Sequence, residues 1–251
     1  MTPRALLFNI VFYLNLLVLL LAGLPLLVMP RRVAMKGLKL WGGSTMFWQR
    51  LIVGTGVELR GLDNLPPGPV LIAAKHQSAW ETVALHAFFD DPAIVLKKEL
   101  MWIPIMGWLS RKFALIPVDR SASTSAMRAM RALRAHARRA RDNGRQIIIF
   151  PEGTRRPPGA PPDYKPGVAL LYGDLDIPCV PLALNSGLFW PRRRPDRHPG
   201  TIIVELLPAI PAGLSRKDFM ARLQDDIETA SDRLIEEALK SSRPPPGQKA
   251  H

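Results

Sequence analysis

The pattern of apolar and polar positions separates an apolar N-terminal region from a longer mixed region. Residues 5–29 contain no charged side chain. As a helix with a rise of 1.5 Å per residue they would extend about 37 Å, enough to cross a hydrocarbon core about 30 Å thick. Residues 38–53 place Trp41 and Trp48 near one face, with Arg50 available for lipid headgroups. This second pattern is typical of a helix that lies in a membrane interface. Such a helix can also pack against the first one.

Charges beside the apolar run indicate its orientation. Four basic residues follow it directly, whereas Arg4 alone precedes it. The apolar run predicts a membrane protein, expected in a bacterial inner membrane, and the charge asymmetry favours a main domain on the cytoplasmic side. A cleaved signal peptide is the alternative, but the run is too long and has no small-x-small cleavage site. Gly23 and Pro25 also allow a bent helix that enters one leaflet without crossing the bilayer.

Short apolar runs alternate with helical patterns after this region. The predicted strands are Val70–Ala74, Ile94–Leu96, Phe113–Val118, Gln146–Phe150, Pro178–Leu184 and Thr201–Leu207. The predicted helices are Glu81–Phe89, Ser123–Arg141 and Lys217–Leu239. Asn143 and Gly144 form a helix stop, and Ser215 with Asp218 resembles a capping box. The alternation predicts an α/β fold with a central, mostly parallel or mixed sheet flanked by helices.

Three segments follow from these patterns. Residues 1–56 are predicted to form the membrane anchor, with an apolar helix at 5–29 and an interfacial helix at about 38–53. Residues 57–240 are predicted to form the main domain. Residues 241–251, rich in proline and basic side chains, are predicted to form a flexible tail.

Candidate chemistry begins with a histidine that follows the first predicted strand. Two histidines have a carboxylate five residues later, His76 with Glu81 and His86 with Asp91. Five helical residues turn about 140° beyond one full turn, so within its predicted helix His86 would face away from Asp91. We therefore interpret His86 as an ordinary histidine, on the helix surface or partly buried.

His76 lies in the turn before the helix, where Glu81 can fold back onto its ring. Such a pair suits general base catalysis on a hydroxyl, because the carboxylate fixes the tautomer and stabilises the imidazolium.

A second polar loop follows the strand that ends at Phe150. Gly153 permits unusual backbone angles and close approach of a ligand. Thr154 offers a hydroxyl donor, and Arg155 can form a bidentate pair with phosphate oxygens. Because the carboxyl ends of strands line the ligand crevice of an open α/β sheet, the two loops are expected to share one site.

Four sequence blocks in order resemble the glycerolipid acyltransferases, the family that includes 1-acylglycerol-3-phosphate acyltransferase. The blocks are Lys75–Glu81, Phe113–Arg120, Pro151–Arg155 and Val180–Leu184. The resemblance spans about residues 40–210 and implies that the first block is catalytic. It implies that the second and third blocks hold the phosphate of the acyl acceptor.

By this resemblance, His76 is the general base and Glu81 its orienting partner. Arg120, Glu152, Gly153, Thr154 and Arg155 would form or shape the phosphate site. The departure is Glu81, where the family has aspartate, and its extra methylene changes the reach but keeps the acceptor. Tyr164–Val168 resembles a stretch with two lysines in relatives, of which only Lys165 is present here.

The expected reaction moves a fatty acyl group from an acyl thioester, on coenzyme A or acyl carrier protein, to the free hydroxyl of lysophosphatidic acid. The product would be phosphatidic acid, and no further cofactor is expected. Glycerol 3-phosphate, a lysophospholipid or a lyso-amino-lipid remain alternative acceptors. A lipid-binding protein without catalysis is a further alternative, although His76 and Glu152–Arg155 argue against it.

Charge and cysteine content narrow the partners. The net charge of +13, from 34 basic and 21 acidic residues, fits an anionic membrane surface or nucleic acid. No nucleic-acid module is recognisable, and the apolar N-terminus favours membrane lipids. Cys179 is the only cysteine, which excludes an internal disulfide, and its apolar strand predicts a buried thiol. No residues have metal-ligand spacing, so no metal is expected.

Overall fold

A mixed sheet of seven strands organises the computed structural model, which describes residues 1–119 and 125–246. The strands are β1 (Thr55–Arg60), β2 (Val70–Ala74), β3 (Pro92–Lys97), β4 (Ile116–Val118), β5 (Gln146–Ile149), β6 (Cys179–Leu184) and β7 (Gly200–Leu206). The helices are α1 (Pro3–Ala22), α2 (Arg31–Val53), α3 (Trp80–Phe88), α4 (Met106–Lys112), α5 (Ala126–Asp142), α6 (Gly167–Leu175), α7 (Ser186–Phe189) and α8 (Arg216–Leu239). Short 3₁₀ turns occupy Leu24–Leu27, Leu62–Asn64 and Lys98–Trp102. The predicted α/β class is confirmed.

The strand order is β1-β7-β6-β2-β5-β3-β4, and the five strands from β6 to β4 have their carboxyl ends at the same end of the sheet. β2 lies at the centre and pairs in parallel with β5 and β6. β3 continues the parallel arrangement beyond β5. β7 is antiparallel to β6, and β1 is parallel to β7. The loops after β2, β3, β5 and β6 therefore emerge on the same side, as expected for the ligand crevice of an α/β sheet.

Both faces of the central strands are buried, which explains their continuous apolar sequences. In β2, Val70 and Ile72 belong to one core with Trp80 and Phe189. Leu71 and Ala73 belong to a second core on the opposite face, with side chains from α5, α6 and α8. Helices therefore cover both faces and fix the positions of the loops between them.

The N-terminal region forms a helical hairpin, and this corrects the predicted bounds. α1 ends at Ala22, and α2 begins at Arg31. Gly23, Pro25 and Pro30 interrupt one continuous helix, because proline lacks the amide hydrogen that a helix interior requires. α1 is apolar and long enough to cross a membrane by length and composition. The predicted boundary between residues 56 and 57 falls inside β1, which was not predicted.

α2 connects the hairpin to the sheet domain. A Cβ at Gly42 would lie 2.9 Å from the carbonyl oxygen of Val83, so α2 and α3 approach closely at that point. On α1, Phe8 is buried and packs edge-on against Trp190, with ring centroids 5.3 Å apart. Both helices of the hairpin therefore pack against the sheet domain.

The remaining predicted elements mostly agree with the structure. The predicted strand at Phe113–Val118 is wrong in its first half, because α4 ends there and only residues 116–118 pair with β3. Phe113 and Leu115 are buried against the hairpin, and that burial explains their apolar character. The predicted caps are confirmed, since Ser215 Oγ accepts from the Asp218 amide at 3.2 Å and Asn143 ends α5. The start of the predicted helix at Ser123 and part of the predicted tail lie outside the described residues.

Candidate active site

The turn after β2 brings His76 and Glu81 together. Glu81 lies in the first turn of α3, and its Oε1 is 2.9 Å from His76 Nδ1. The same Oε1 accepts from the backbone amides of Gln77 and Ser78, each at 2.7 Å. Oε2 accepts from the Ser186 hydroxyl at 2.8 Å. The Glu81 carboxylate is fully buried and fixed by these donors, so the longer glutamate side chain reaches the imidazole.

This contact defines the nitrogen left for a substrate. An ionised carboxylate only accepts hydrogen bonds, so His76 Nδ1 carries the proton in the neutral ring and Nε2 keeps its lone pair. The ring stacks on Phe150, with centroids 4.2 Å apart. His76 is partly buried and lines a cavity of about 610 Å³. The arrangement can accept a proton at Nε2 from a group that lies in the cavity.

The loop after β5 reaches the same cavity. Gly153 has a φ of 65°, in the region that favours glycine, as its predicted role requires. Gly153, Thr154 and Arg155 all line the cavity beside His76. The Arg156 amide donates to the His76 carbonyl oxygen at 2.8 Å and links the two loops. Arg120, the other predicted phosphate ligand, lies outside the described residues.

Glu152 has a different position from its neighbours in this loop. Its side chain is fully buried, and Oε1 accepts from Lys75 Nζ at 3.0 Å. Its Oε2 accepts from the His76 amide at 2.9 Å. Burial raises the pKa of the Glu152 carboxyl, while the Lys75 charge opposes that shift. These contacts place Glu152 behind the cavity lining, where it holds the backbone of His76 and the loop after β5.

Lys75 extends this buried network to the C-terminal helix. Its ammonium group also donates to Oε1 and Oε2 of Glu228 on α8, at 2.7 and 2.9 Å. The Tyr164 hydroxyl donates to Glu228 at 2.8 Å. The contact between Lys75 and Glu228 could not be predicted from the sequence, because 153 positions separate the two residues. The network ties the turn after β2, the loop after β5 and α8 together.

The second histidine pair does not form. Asp91 instead binds Arg145 and Arg31, with closest distances of 3.0 and 2.5 Å. His86 is buried with 4% exposure, so the expected surface or partly buried position is wrong. Burial lowers the pKa of His86 to about 3. His86 lines the same cavity next to Trp41, where it is neutral at physiological pH.

Lys165 and Cys179 lie apart from the cavity lining. Lys165 Nζ donates to the Asp163 carboxylate at 2.8 Å and is exposed. The Cys179 thiol is buried in β6, as predicted, and burial raises its pKa. Within residues 1–119 and 125–246, no cluster of three or more His, Cys, Asp or Glu side chains could hold a metal ion.

The cavity extends from the polar loops into an apolar interior. Its walls come from α1, α2 and the segment 94–115, and its apolar side chains include Leu16, Leu20, Leu38, Leu109 and Phe113. The sequence motifs did not identify these residues, because apolar side chains in helices give the same signal whether they line a cavity or fill a core. The cavity therefore joins His76 and the loop of Gly153, Thr154 and Arg155 to an apolar space.

Comparisons with known proteins identify the family of the chain. Residues 56–185 match the model of the acyltransferase family. A 1-acyl-sn-glycerol-3-phosphate acyltransferase from Pseudomonas aeruginosa is 36% identical over 172 residues, which cover 68% of this chain and 66% of that protein. The mouse 1-acyl-sn-glycerol-3-phosphate acyltransferase alpha is 25% identical over 182 residues, covering 71% of this chain and 63% of its own length.

A solved structure has the same fold. The crystal structure of the 1-acyl-sn-glycerophosphate (LPA) acyltransferase PlsC from Thermotoga maritima superposes with a TM-score of 0.74 at 20% identity. It covers 92% of this chain and 97% of the Thermotoga chain. Because the family model matches more than half of the sequence, the chain belongs to the acyltransferase family. The chain spans slightly less than two thirds of the Pseudomonas and mouse relatives that it matches.

Proposed function

We propose that the protein transfers a fatty acyl group from a thioester carrier to the free hydroxyl of lysophosphatidic acid and so forms phosphatidic acid. The observation that carries this proposal is that His76, Thr154 and Arg155 line one cavity with an apolar interior. The names of the Pseudomonas and mouse relatives, both lysophosphatidic acid acyltransferases, support the same acceptor.

The reaction needs a proton acceptor and no covalent enzyme intermediate. His76 Nε2 takes the proton of the acceptor hydroxyl as the hydroxyl oxygen attacks the thioester carbonyl carbon. The carbon–sulfur bond then breaks, the new oxygen ester forms, and the leaving sulfur receives the proton from the imidazolium. Glu81 stabilises that imidazolium through Nδ1. General acid–base catalysis by a positioned side chain typically contributes ~10²–10⁴ in rate.

The polar and apolar parts of the cavity suit the two substrates. Arg155 and the Thr154 hydroxyl bind the acceptor phosphate, and Arg120 is the expected second cation. A fatty chain fills the apolar interior between the hairpin and the sheet. Removal of its apolar surface from water contributes about 25 cal/mol of binding free energy per Å². The helical hairpin holds the protein at a membrane, where both the acceptor and the product reside, and the catalytic domain faces the cytoplasm.

A matrix of acceptors and donors tests the proposal. Purified protein in detergent is given lysophosphatidic acid, glycerol 3-phosphate, a lysophospholipid without a terminal phosphate and a lyso-amino-lipid, each with acyl-coenzyme A and with acyl carrier protein thioester. We expect phosphatidic acid from lysophosphatidic acid, with other acceptors at least tenfold slower, and turnover by His76→Ala lowered by about 10²–10⁴. Faster turnover of another acceptor would replace lysophosphatidic acid in the proposal, and no turnover of any acceptor would favour a binding protein.

A further inference from the structure

Three consecutive arginines follow α7 in a loop that the proposed reaction does not use. We call residues 191–195 the arginine loop. Arg197 Nη1 donates to the Arg194 carbonyl oxygen at 2.9 Å and closes the loop. Asn9 Nδ2, on α1, donates to the Pro195 carbonyl oxygen at 2.8 Å. These bonds hold the loop backbone from two sides, so its arginines are presented from a fixed position.

The base of the arginine loop is also fixed by stacking. The Arg197 guanidinium lies over the Trp190 ring, 4.2 Å from its centroid. Arg193 adopts a φ of 56°, in the left-handed region that favours glycine. A residue other than glycine keeps this backbone conformation only where the surrounding structure imposes it. Such residues concentrate at functional sites.

The arginine loop lies beside the loop that carries Arg155. A Cβ at Gly187, on α7, would lie 2.8 Å from the ring of Pro158, so α7 packs directly against the chain that follows Arg156. Arg192 lies three residues beyond the end of α7. Loss of water contact lowers the pKa of Arg192, and the charges of Arg193, Arg155 and Arg156 lower it further. Four guanidinium groups therefore share one region at the edge of the sheet.

Few carboxylates balance this cluster. Among the residues that the structure describes, its ion pairing is limited to Arg156 with Asp163, at 3.4 Å. Asp163 is also bound by Lys165 at 2.8 Å. Like charges held together repel, so the cluster has an unmet attraction for an anion that carries several charges. The planar guanidinium groups are suited to phosphate oxygens.

We propose that Arg192 and Arg193 bind the phosphate groups of a coenzyme A thioester that serves as acyl donor. This inference rests on the proposed acyl transfer. When the fatty chain occupies the apolar cavity, the phosphate-bearing part of its carrier must remain outside. Arg155 lines the cavity and is left for the acceptor, whereas Arg192 and Arg193 lie beyond the cavity lining. Coenzyme A carries a pyrophosphate and a further phosphate on its ribose, which matches several guanidinium groups better than the single phosphodiester of acyl carrier protein.

Donor kinetics of a double variant test this assignment. Arg192→Ala with Arg193→Ala is compared with Arg131→Ala with Arg139→Ala, which removes two exposed arginines from α5. For the first variant we expect the KM for acyl-coenzyme A to rise at least tenfold. We expect its kcat and its KM for lysophosphatidic acid to stay within twofold of the wild type. With an S-acyl pantetheine donor, which has no phosphate, the two variants should behave alike.

Three outcomes would overturn the proposal, and each has a different cause. A rise in the KM for lysophosphatidic acid would assign the arginine loop to the acceptor. A tenfold rise with acyl carrier protein thioester but not with acyl-coenzyme A would assign it to a protein carrier. Unchanged kinetics in detergent, with weaker binding to anionic vesicles, would assign it to the lipid surface.

A binding measurement separates this inference from the proposed function. Isothermal titration with free coenzyme A does not require turnover, and the Kd of the double variant should rise at least tenfold. Wild type that binds coenzyme A but acylates no acceptor would contradict the proposed function alone. Wild type that makes phosphatidic acid while both Kd values are equal would contradict the arginine-loop assignment alone.

Discussion

His76 and His86 show how the surroundings of a histidine decide whether it can move a proton. Both rings line one cavity. His76 has the Glu81 carboxylate 2.9 Å from Nδ1, whereas burial lowers the pKa of His86 to about 3. A group with that pKa takes up no proton near neutral pH, so His86 contributes shape to the cavity but cannot act as the base.

Replacement of each histidine tests this distinction. We expect His76→Ala to lower kcat by about 10²–10⁴, because it removes the general base. We expect His86→Phe, which keeps an aromatic ring in the cavity wall, to retain most of the kcat. The measurement is acyl transfer to lysophosphatidic acid by protein whose folding has been checked by circular dichroism. An inactive His86→Phe variant together with an active His76→Ala variant would contradict the assignment.

The pairing of His76 with Glu81 could be predicted because five residues separate them across one turn. The positions of Gly153, Thr154 and Arg155 near this pair could also be predicted. Their loop follows a strand whose carboxyl end lies beside that of β2. The position of Glu152 could not be predicted from its motif, since the motif does not tell which side of the loop each side chain faces. Its partners Lys75 and Glu228 come from two other parts of the chain.

At the scale of elements, the buried network joins α8 to the two loops that carry the site. Lys75 is buried between Glu152 and Glu228, so one positive charge faces two carboxylates. Burial raises the pKa of Glu152 because the ionised carboxylate loses water, and Lys75 compensates for only part of that loss. The folded protein therefore holds the Glu152 proton to higher pH than the unfolded chain does.

A pH series measures this contribution to stability. When the folded-state pKa of a carboxyl is raised, the native state binds more protons between the two pKa values, and stability falls as pH rises through that window. We therefore expect wild type to lose unfolding free energy relative to Glu152→Gln as pH rises from 4.5, the ordinary pKa, toward neutrality. Urea titrations of both proteins in detergent provide the measurement. A wild type that gains stability relative to the variant over this range would show that the Lys75 ion pair outweighs burial.

Elements with a strong pattern were predictable, and elements set by packing were not. β2 is continuous, apolar and bounded by turn residues, and its predicted limits are confirmed. α8 has a capping serine and a long amphipathic repeat, and its limits agree within one residue. α4 is only seven residues long, and β1 has only two large apolar side chains, Val57 and Leu59, so neither stands out in the sequence. Both are stabilised by neighbours that are distant in sequence.

At the scale of the whole molecule, one cavity joins the N-terminal hairpin to the proposed catalytic residue His76. Leu16 and Leu20 on α1 and Leu38 on α2 line the cavity that also contains His76. The N-terminal hairpin is therefore part of the site as well as the element expected at the membrane. This coupling was not predictable from the apolar run, which indicates membrane affinity but gives no information about contacts with residues far along the chain.

Deletion of residues 1–30 separates the two roles of the hairpin. The deletion removes one cavity wall and the Phe8 contact with Trp190, so we expect most turnover to be lost. We expect vesicle binding to persist at low salt and to weaken strongly at raised salt. α2 still presents exposed Leu40, Phe47 and Leu51 together with basic side chains. Flotation with anionic vesicles at both salt concentrations measures this.

A variant of the shortened protein provides the matched control. Phe47→Glu with Leu51→Glu in the deletion background replaces two exposed apolar side chains of α2 by charges without changing its buried face. We expect this protein to leave the vesicles at low salt as well, because the remaining apolar contact is lost and the added carboxylates repel anionic lipid. If the deletion alone already abolished binding at low salt, α2 would have no affinity for the interface. Membrane attachment would then depend on α1, and α2 would serve only to join the hairpin to the sheet and to close the cavity.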